Sequence, residues 1–263
     1  RYQVIVDECL ASAPSTHRQE FQEQMISIKK VGVCGAAGTM GAGIAIVAAR
    51  AGFETVAYDL SADALDRAAA QSAGFFEKSV ARGKMSEAER DAVLGRLSSS
   101  TDLQDLSDCE LVIEAVFEDL GTKKNLLKQL DGICAEHTIF ASNTSTLSIT
   151  EIASGCERQD QVVGIHFCLP AQLMKLIEMS PGINTSTETF QTAWAWTEAA
   201  GQIPVETQDK PGFILNALLV PFNNDAIRAV EAGVAEPADI DKAIKSGLGY
   251  KMGPLELIDL IGL

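Results

Sequence analysis

The sequence predicts an α/β protein in which a doubly wound parallel sheet is followed by a smaller all-helical domain. Three observations predict it. From Ile28 onward, short β-branched runs alternate with longer segments of helical period, the pattern of βαβ units. A glycine-rich turn joins the first of those runs to an apolar helix start. Near Asp209-Lys210-Pro211-Gly212 the alternation stops and only helical period remains, which places a domain boundary close to residue 209. The expected organisation is therefore an extension of unassigned role over residues 1–27, a nucleotide-binding domain over 28–209 and a helical domain over 210–263.

The expected strands are Lys30–Cys34, Thr55–Asp59, Leu111–Ala115, Thr138–Ala141, Val162–Phe167, Lys175–Met179 and Ile203–Glu206. Helix starts between them are marked by Ser86 with Glu89, Ser148 with Glu151 and Thr185 with Glu188. In this S/T-x-x-E spacing a hydroxyl and a carboxylate satisfy two otherwise orphaned backbone donors. Past the boundary, Pro237, Asp239, Asp241, Lys245 and Gly247 read as one helix from start to stop. The final run from Leu255 to Leu263 is apolar and amphipathic, so the helical domain is expected to be incomplete, with hydrophobic surface left for other residues to cover.

Composition narrows the function classes. At 263 residues, 46% hydrophobic and 22% charged, the chain can bury a sizeable core, and neither a disordered nor a fibrous protein fits. A formal charge of −15 repels polyanions, which argues against nucleic acid or an anionic membrane as partner and requires any phosphate ligand to find a local exception. No apolar run reaches the length of a membrane helix. The six cysteines never fall at a C-x-x-C spacing and there are three histidines, so no metal site is expected. The thiols read as reduced and structural, in a cytoplasmic setting.

The turn Gly35-Ala-Ala-Gly38-Thr-Met40-Gly41 follows the first strand and opens the first helix. Glycines there permit a tight turn and close backbone approach, so that a pyrophosphate rests on free N–H groups at the positive end of the helix. The spacing is G-x-x-G-x-x-G, one residue longer in its first gap than the common dinucleotide fingerprint. Asp59, at the end of the next strand and 21 residues after Gly38, is where a carboxylate accepts both ribose hydroxyls of an adenosine. That carboxylate would repel a 2′-phosphate and no arginine adjoins it, so NAD is preferred to NADP. The alternative is a glycine turn in a sheet protein that binds no nucleotide.

Six further segments occur in order: Val112-Ile-Glu-Ala-Val-Phe-Glu118-Asp-Leu-Gly-Thr-Lys123, Ala141-Ser-Asn143-Thr-Ser145, Gly164-Ile-His166-Phe, Met174-Lys-Leu-Ile-Glu178, Pro211-Gly-Phe-Ile-Leu-Asn216 and Met252-Gly-Pro-Leu. Across roughly Ile28 to Leu263 they resemble the short-chain L-3-hydroxyacyl-CoA dehydrogenases, which include the 3-hydroxybutyryl-CoA dehydrogenases. The resemblance implies a Rossmann-like NAD domain followed by a helical domain that builds a homodimer and closes over an acyl-CoA substrate. It implies oxidation of an L-3-hydroxyacyl-CoA to the 3-ketoacyl-CoA.

That chemistry needs a group that takes the hydroxyl proton while hydride leaves carbon 3. Histidine suits it, because its ordinary pKa near 6.5 lets it exchange a proton at working pH. Glu178 lies twelve residues after His166 on the next expected strand, placed to hold the imidazole and stabilise the imidazolium. By resemblance the two form the catalytic pair. Ser145 and Asn216 match residues that hydrogen-bond the reacting oxygen and the thioester end of the acyl chain; read without the resemblance they are a turn serine and a capping asparagine. Glu118 and Lys123 match residues that contact the ribose and nicotinamide side of the cofactor, the alternative being a solvated acid and base. Asn143 is a candidate for the same lining. Arg82, with Lys78 four residues before it and Lys84 just beyond, is the candidate patch for coenzyme A phosphates, or else an ordinary exposed face.

Two features depart from the family's pattern. Where relatives read His-Phe-Phe-Asn-Pro, this chain has His166-Phe-Cys-Leu169-Pro170, and leucine supplies no amide. Ala171-Gln172 and Ser180 replace other residues, which is expected to change the walls near the reacting carbon. They leave two alternatives open: a dehydrogenase of a free hydroxy acid, of the carnitine or gulonate kind, and an NAD-binding relative without turnover. A lysine-dependent dehydrogenase of the 6-phosphogluconate or hydroxyisobutyrate group is disfavoured by the spacing of His166 and Glu178.

Overall fold

The computed structural model describes residues 28–262; the extension expected over residues 1–27, and Leu263, lie outside the described residues. The described chain falls into two compact units, the first ending at Asp209 and the second beginning at Lys210.

The first unit is built on an eight-stranded sheet. In chain order its elements are β1 (Lys30–Cys34), α1 (Thr39–Arg50), β2 (Glu54–Tyr58), α2 (Ala62–Ala81), α3 (Glu87–Leu94), β3 (Leu97–Ser100), β4 (Leu111–Glu114), α4 (Leu120–Asp131), β5 (Ile139–Ser142), α5 (Ile149–Ala153), β6 (Val162–Phe167), β7 (Leu176–Pro181), α6 (Thr187–Ala199) and β8 (Ile203–Glu206). The spatial order is β3-β2-β1-β4-β5-β6-β7-β8. Every neighbouring pair is parallel except β6 and β7, which run antiparallel with His166 opposite Glu178.

The seven expected strands form, β1, β6 and β8 with the expected bounds and the other four with one or both ends moved by a residue or two. The eighth, β3, was not expected: Leu97-Ser-Ser-Ser100 is poor in β-branched and aromatic residues. It forms because it lies at the sheet's outer edge, pairs with β2 alone and needs little apolar surface. The central strands are the opposite case. β4, β5 and β6 are buried along their whole length, as strands covered by helices on both faces must be.

α1 runs through the middle of the core. Gly41, Gly43 and the stretch from Ile44 to Ala49 are all buried, and Ile44 and Val47 pack with Val31, Ile113, Ile165 and Met179. Ala171 belongs to the same core, and a Cβ on Gly43 would lie 3.0 Å from its Cβ and 2.8 Å from Gln172 Oε1. Ala171 and Gln172 therefore bear on the packing of α1.

The helix starts need one correction. Ser86 and Glu89 form the reciprocal box as expected, and Ser148 accepts from Glu151 N. For α6, however, the cap is Ser186, which accepts from Thr189 N. Thr185 instead donates to Val162 O at 2.5 Å and accepts from Gly182 N at 2.8 Å, so it ties a loop to β6.

The second unit comprises α7 (Leu215–Glu231), α8 (Pro237–Leu248) and α9 (Pro254–Ile261). Pro237 opens α8 as expected, but Gly247 lies inside the helix. The stop is Gly249, whose φ of 72° is left-handed. Buried Asp241 accepts from Leu255 N at 2.9 Å and Glu256 N at 3.1 Å, joining α8 to the first turn of α9. Leu218, Val220, Val234, Leu248, Leu260 and Ile261 are exposed.

Candidate active site

The glycine turn lies between β1 and α1. Gly35 has a φ of 78°, and a Cβ there would lie 2.6 Å from Ala115 O; a Cβ on Gly41 would lie 2.2 Å from Gly35 O. Both positions exclude a side chain. Gly38 is different, since its φ is −79° and its nearest obstacle is Gly35 O at 3.3 Å. Glycine at 38 leaves the helix start open where a side chain would cover it. The amides of the first turn, to which Met40 belongs, have no acceptor within the helix. α1 has no side-chain cap and no acidic residue in its first turn, whereas α2, α3, α4 and α5 are capped by Ser61, Ser86, Asp119 and Ser148. Its positive end is thus left for an anion. Asp59 stands just past β2, its Oδ2 accepting from Ala37 N at 3.1 Å, so the carboxylate is fixed beside the turn.

A second cluster sits at the ends of β4 and β5. Glu118 Oε1 accepts from Thr144 Oγ1 at 2.5 Å, Ser145 N at 2.9 Å, Thr146 N at 3.0 Å and Thr146 Oγ1 at 2.9 Å. Burial alone would raise its carboxyl, but these donors and the Lys123 ammonium, 3.3 Å from Oε2, hold it down to about 2. Lys123 is 1% exposed and spans both oxygens of Glu114, at 2.9 and 2.8 Å. The solvated alternative for Lys123 is thereby overturned: its charge is committed to two carboxylates inside the protein. Glu114 is buried as well, and burial pushes its carboxyl up against the pull of Lys123. Glu114 was not singled out from the sequence, although a lone carboxylate inside the apolar run Leu111–Val116 is the signal that could have found it.

The third cluster lies on the antiparallel pair. His166 Nδ1 is 2.8 Å from Glu178 Oε2, with the imidazole mostly buried and the carboxylate wholly so. Directly opposed residues on antiparallel strands point to the same face, which is why a spacing of twelve brings them together. Asn143 Oδ1 accepts from Phe167 N at 2.9 Å, which joins the end of β5 to the strand carrying His166. Cys168 is buried beside Glu178; burial first, then that carboxylate, pushes its thiol up to about 11, so it stays neutral. Leu169 is 57% exposed. Ser180 lies on the Glu178 face opposite Gly164, fully buried, with no hydrogen-bond partner for its hydroxyl.

β1, β2, β4, β5 and β6 run parallel, so the glycine turn, Asp59, Glu118, Asn143, Ser145 and the end of β6 share the carboxyl edge of the sheet, where open α/β sheets bind their ligands. Arg82 does not join them. α2 starts at that edge and runs the other way for 20 residues, about 30 Å at 1.5 Å per residue. Its later turns pack Phe76 against Ile46, Ala49 and Val93, so Arg82, with Lys78, stands exposed toward the opposite edge. Asn216 lies in the first turn of α7, in the second unit, and is half-buried. Among the described residues no group of three metal-ligating side chains occurs, and no helix is long and apolar enough to cross a membrane.

Known protein families match nearly all the described chain. The 3-hydroxyacyl-CoA dehydrogenase NAD-binding domain matches residues 30–210, and the C-terminal domain of 3-hydroxyacyl-CoA dehydrogenase matches residues 212–263. The chain belongs to the 3-hydroxyacyl-CoA dehydrogenase family. As a member it is an NAD-dependent dehydrogenase, and the open cradle formed by Gly35, Gly38 and Gly41 beside Asp59 fits that cofactor. It is 42% identical over 234 residues to a 3-hydroxybutyryl-CoA dehydrogenase of Clostridioides difficile, covering 89% of this chain and 83% of the relative. It is also 42% identical over 269 residues to the human mitochondrial hydroxyacyl-coenzyme A dehydrogenase, covering 98% and 84%. The crystal structure of (S)-3-hydroxybutyryl-CoA dehydrogenase from Ralstonia eutropha superposes with a TM-score of 0.86 at 38% identity, covering 89% of this chain and 83% of that one.

Proposed function

We propose that this dehydrogenase interconverts an L-3-hydroxyacyl-CoA, such as 3-hydroxybutyryl-CoA, and its 3-ketoacyl-CoA, with His166 as the acid/base and Glu178 as its partner. The observation that carries the reading is the 2.8 Å contact between His166 Nδ1 and Glu178 Oε2. A carboxylate on Nδ1 fixes the proton there and leaves Nε2 to accept the substrate hydroxyl proton, while stabilising the imidazolium that results. NAD, when bound, accepts the hydride from carbon 3. Gly35, Gly38, Met40 and Gly41 present the α1 amides to its pyrophosphate, and Asp59 takes the adenosine ribose. Ser145 donates to the oxygen at carbon 3, a contact that strengthens as charge develops on that oxygen in the reverse direction. Asn216 is assigned, from the family resemblance alone, the thioester end of the acyl chain.

Glu118, Lys123 and Asn143 are read as cofactor-side residues in a restricted sense. Asn143 holds the end of β6, while Glu118 and Lys123 hold the segment bearing Ser145. Arg82 is left out of the coenzyme A site because α2 carries it away from the carboxyl edge. The exposed leucines and isoleucine of α7, α8 and α9 support a homodimer built through the second unit, and the five free, buried cysteines among the described residues support a reducing, cytoplasmic setting.

The test is NADH consumption with acetoacetyl-CoA for the wild type and for His166→Ala. Loss of turnover with NADH binding retained is expected, and a fully active alanine variant removes the mechanism. Leu169 favours one second reading, NAD binding with little turnover, because an exposed leucine offers the site no hydrogen bond. NADH binding without turnover of any 3-ketoacyl-CoA would establish it.

A further inference from the structure

Glu114 has no place in the mechanism above, yet it is a buried acid at the centre of a closed ring of contacts. Its Oε1 accepts from Ser142 Oγ and both of its oxygens accept from Lys123 Nζ. Lys123 also faces Glu118 Oε2 at 3.3 Å. Glu118 Oε1 in turn takes Thr144 Oγ1 and the amides of Ser145 and Thr146. Ser142 Oγ closes the ring by accepting from Thr144 N at 3.2 Å. The ring joins β4, α4 and β5, and residues 144–146 form the turn that carries Ser145.

We propose that Glu114 is a positioning residue, setting through Lys123 and Ser142 where Glu118 holds the Ser145 turn. Stability alone does not call for such a group. Taking a carboxylate and an ammonium out of water is costly, and an apolar pair of similar volume commonly serves a core as well. What an apolar pair cannot do is fix the direction of the Lys123 ammonium. With Glu114 charged, Lys123 is shared between two carboxylates, and Glu118 is drawn toward it through Oε2 only, leaving Oε1 for the turn. With Glu114 gone, the ammonium has Glu118 as its remaining carboxylate and pulls it away from residues 144–146. With both Glu114 and Lys123 gone, Glu118 loses its tether on the other side. Either change shifts Ser145 relative to His166 without touching substrate.

The inference rests on the reading that Ser145 contacts the reacting oxygen, and the test separates the two. In the full chain, Glu114→Leu/Lys123→Met removes both charges together. The expected result is a thermal midpoint close to wild type, with faster hydrogen exchange at the Ser145 and Thr146 amides. The kcat falls on the order of tenfold to a hundredfold with KM for acetoacetyl-CoA little changed, as for a displaced catalytic group. A merely structural pair would move the midpoint and leave kcat and exchange alone, and that result overturns the proposal. If the double variant does not unfold cooperatively, Glu114→Gln is measured in its place, and wild-type exchange at Ser145 and Thr146 overturns the proposal there too. Ser145→Ala is the separating arm. If it keeps full kcat, the role given to Ser145 fails, and the exchange measurement alone then decides whether Glu114 positions the turn.

Discussion

Replacing Glu178 with glutamine is the sharpest perturbation of the proposed pair. The side chain is wholly buried opposite His166, and glutamine has the same shape, so the β6–β7 register should survive. Two things change. The carboxylate that accepts the Nδ1 proton becomes an amide, which holds the imidazole less firmly in the tautomer that leaves Nε2 open. The imidazolium formed during oxidation also loses a negative charge at 2.8 Å. A hydrogen bond to a charged group contributes about 1.5–3 kcal/mol, which at about 1.4 kcal/mol per factor of ten is roughly a 10- to 150-fold loss of kcat. The loss should fall on kcat, because the imidazolium exists only along the reaction path. The assay is steady-state oxidation of L-3-hydroxybutyryl-CoA with NAD, followed by NADH absorbance, with NADH affinity measured separately by fluorescence. Wild-type kcat in a folded Glu178→Gln enzyme would refute the claim that the carboxylate acts through the imidazole.

Three further outcomes are expected. Gly38→Ala should weaken NADH binding while leaving the thermal midpoint nearly unchanged, because its Cβ meets only Gly35 O at 3.3 Å; Gly41→Ala, 2.2 Å from the same oxygen, should lower both, by titration calorimetry and thermal melts. Ser180→Ala removes a buried hydroxyl that has no partner and should stabilise by about 1 kcal/mol, a rise of roughly 2–4 °C in Tm by calorimetry. Asp209 accepts from Ser148 Oγ, Ile149 N and Thr150, and although burial opposes it, these hydrogen bonds hold its carboxyl below the usual range. Its stabilisation is therefore complete above the ordinary carboxylate pKa and disappears as pH falls through the depressed value, so the stability gap between wild type and Asp209→Asn should be open at neutral pH and close in acid.

What the sequence revealed depended on how local the cause was. The glycine turn, the strand before it and Asp59 are near one another in the chain, and each is dictated by backbone sterics or by strand periodicity. His166 and Glu178 were legible for the same reason, since twelve residues of hairpin connect them. β3 was hidden because its pairing comes from β2, not from the propensity of Leu97-Ser-Ser-Ser100. The work of Glu118 was hidden further, because its four donors come from residues 26 to 28 positions away. Lys123 read as a cofactor contact or else a solvated base, because a sequence does not show that Glu114 is buried beneath it. Lys78 lies in the last turn of α2 and Arg82 just past its end, and the direction in which α2 leaves the sheet decides where both lie.

The lone antiparallel pair in a sheet otherwise wound in parallel makes the alignment of the imidazole and carboxylate a property of one hairpin. Its contact order is low, so it can zip up early and independently, whereas the cradle for the dinucleotide waits on distant crossovers. Lesions in the crossover helices should therefore drain cofactor affinity and overall robustness well before they disturb the geometry of proton transfer.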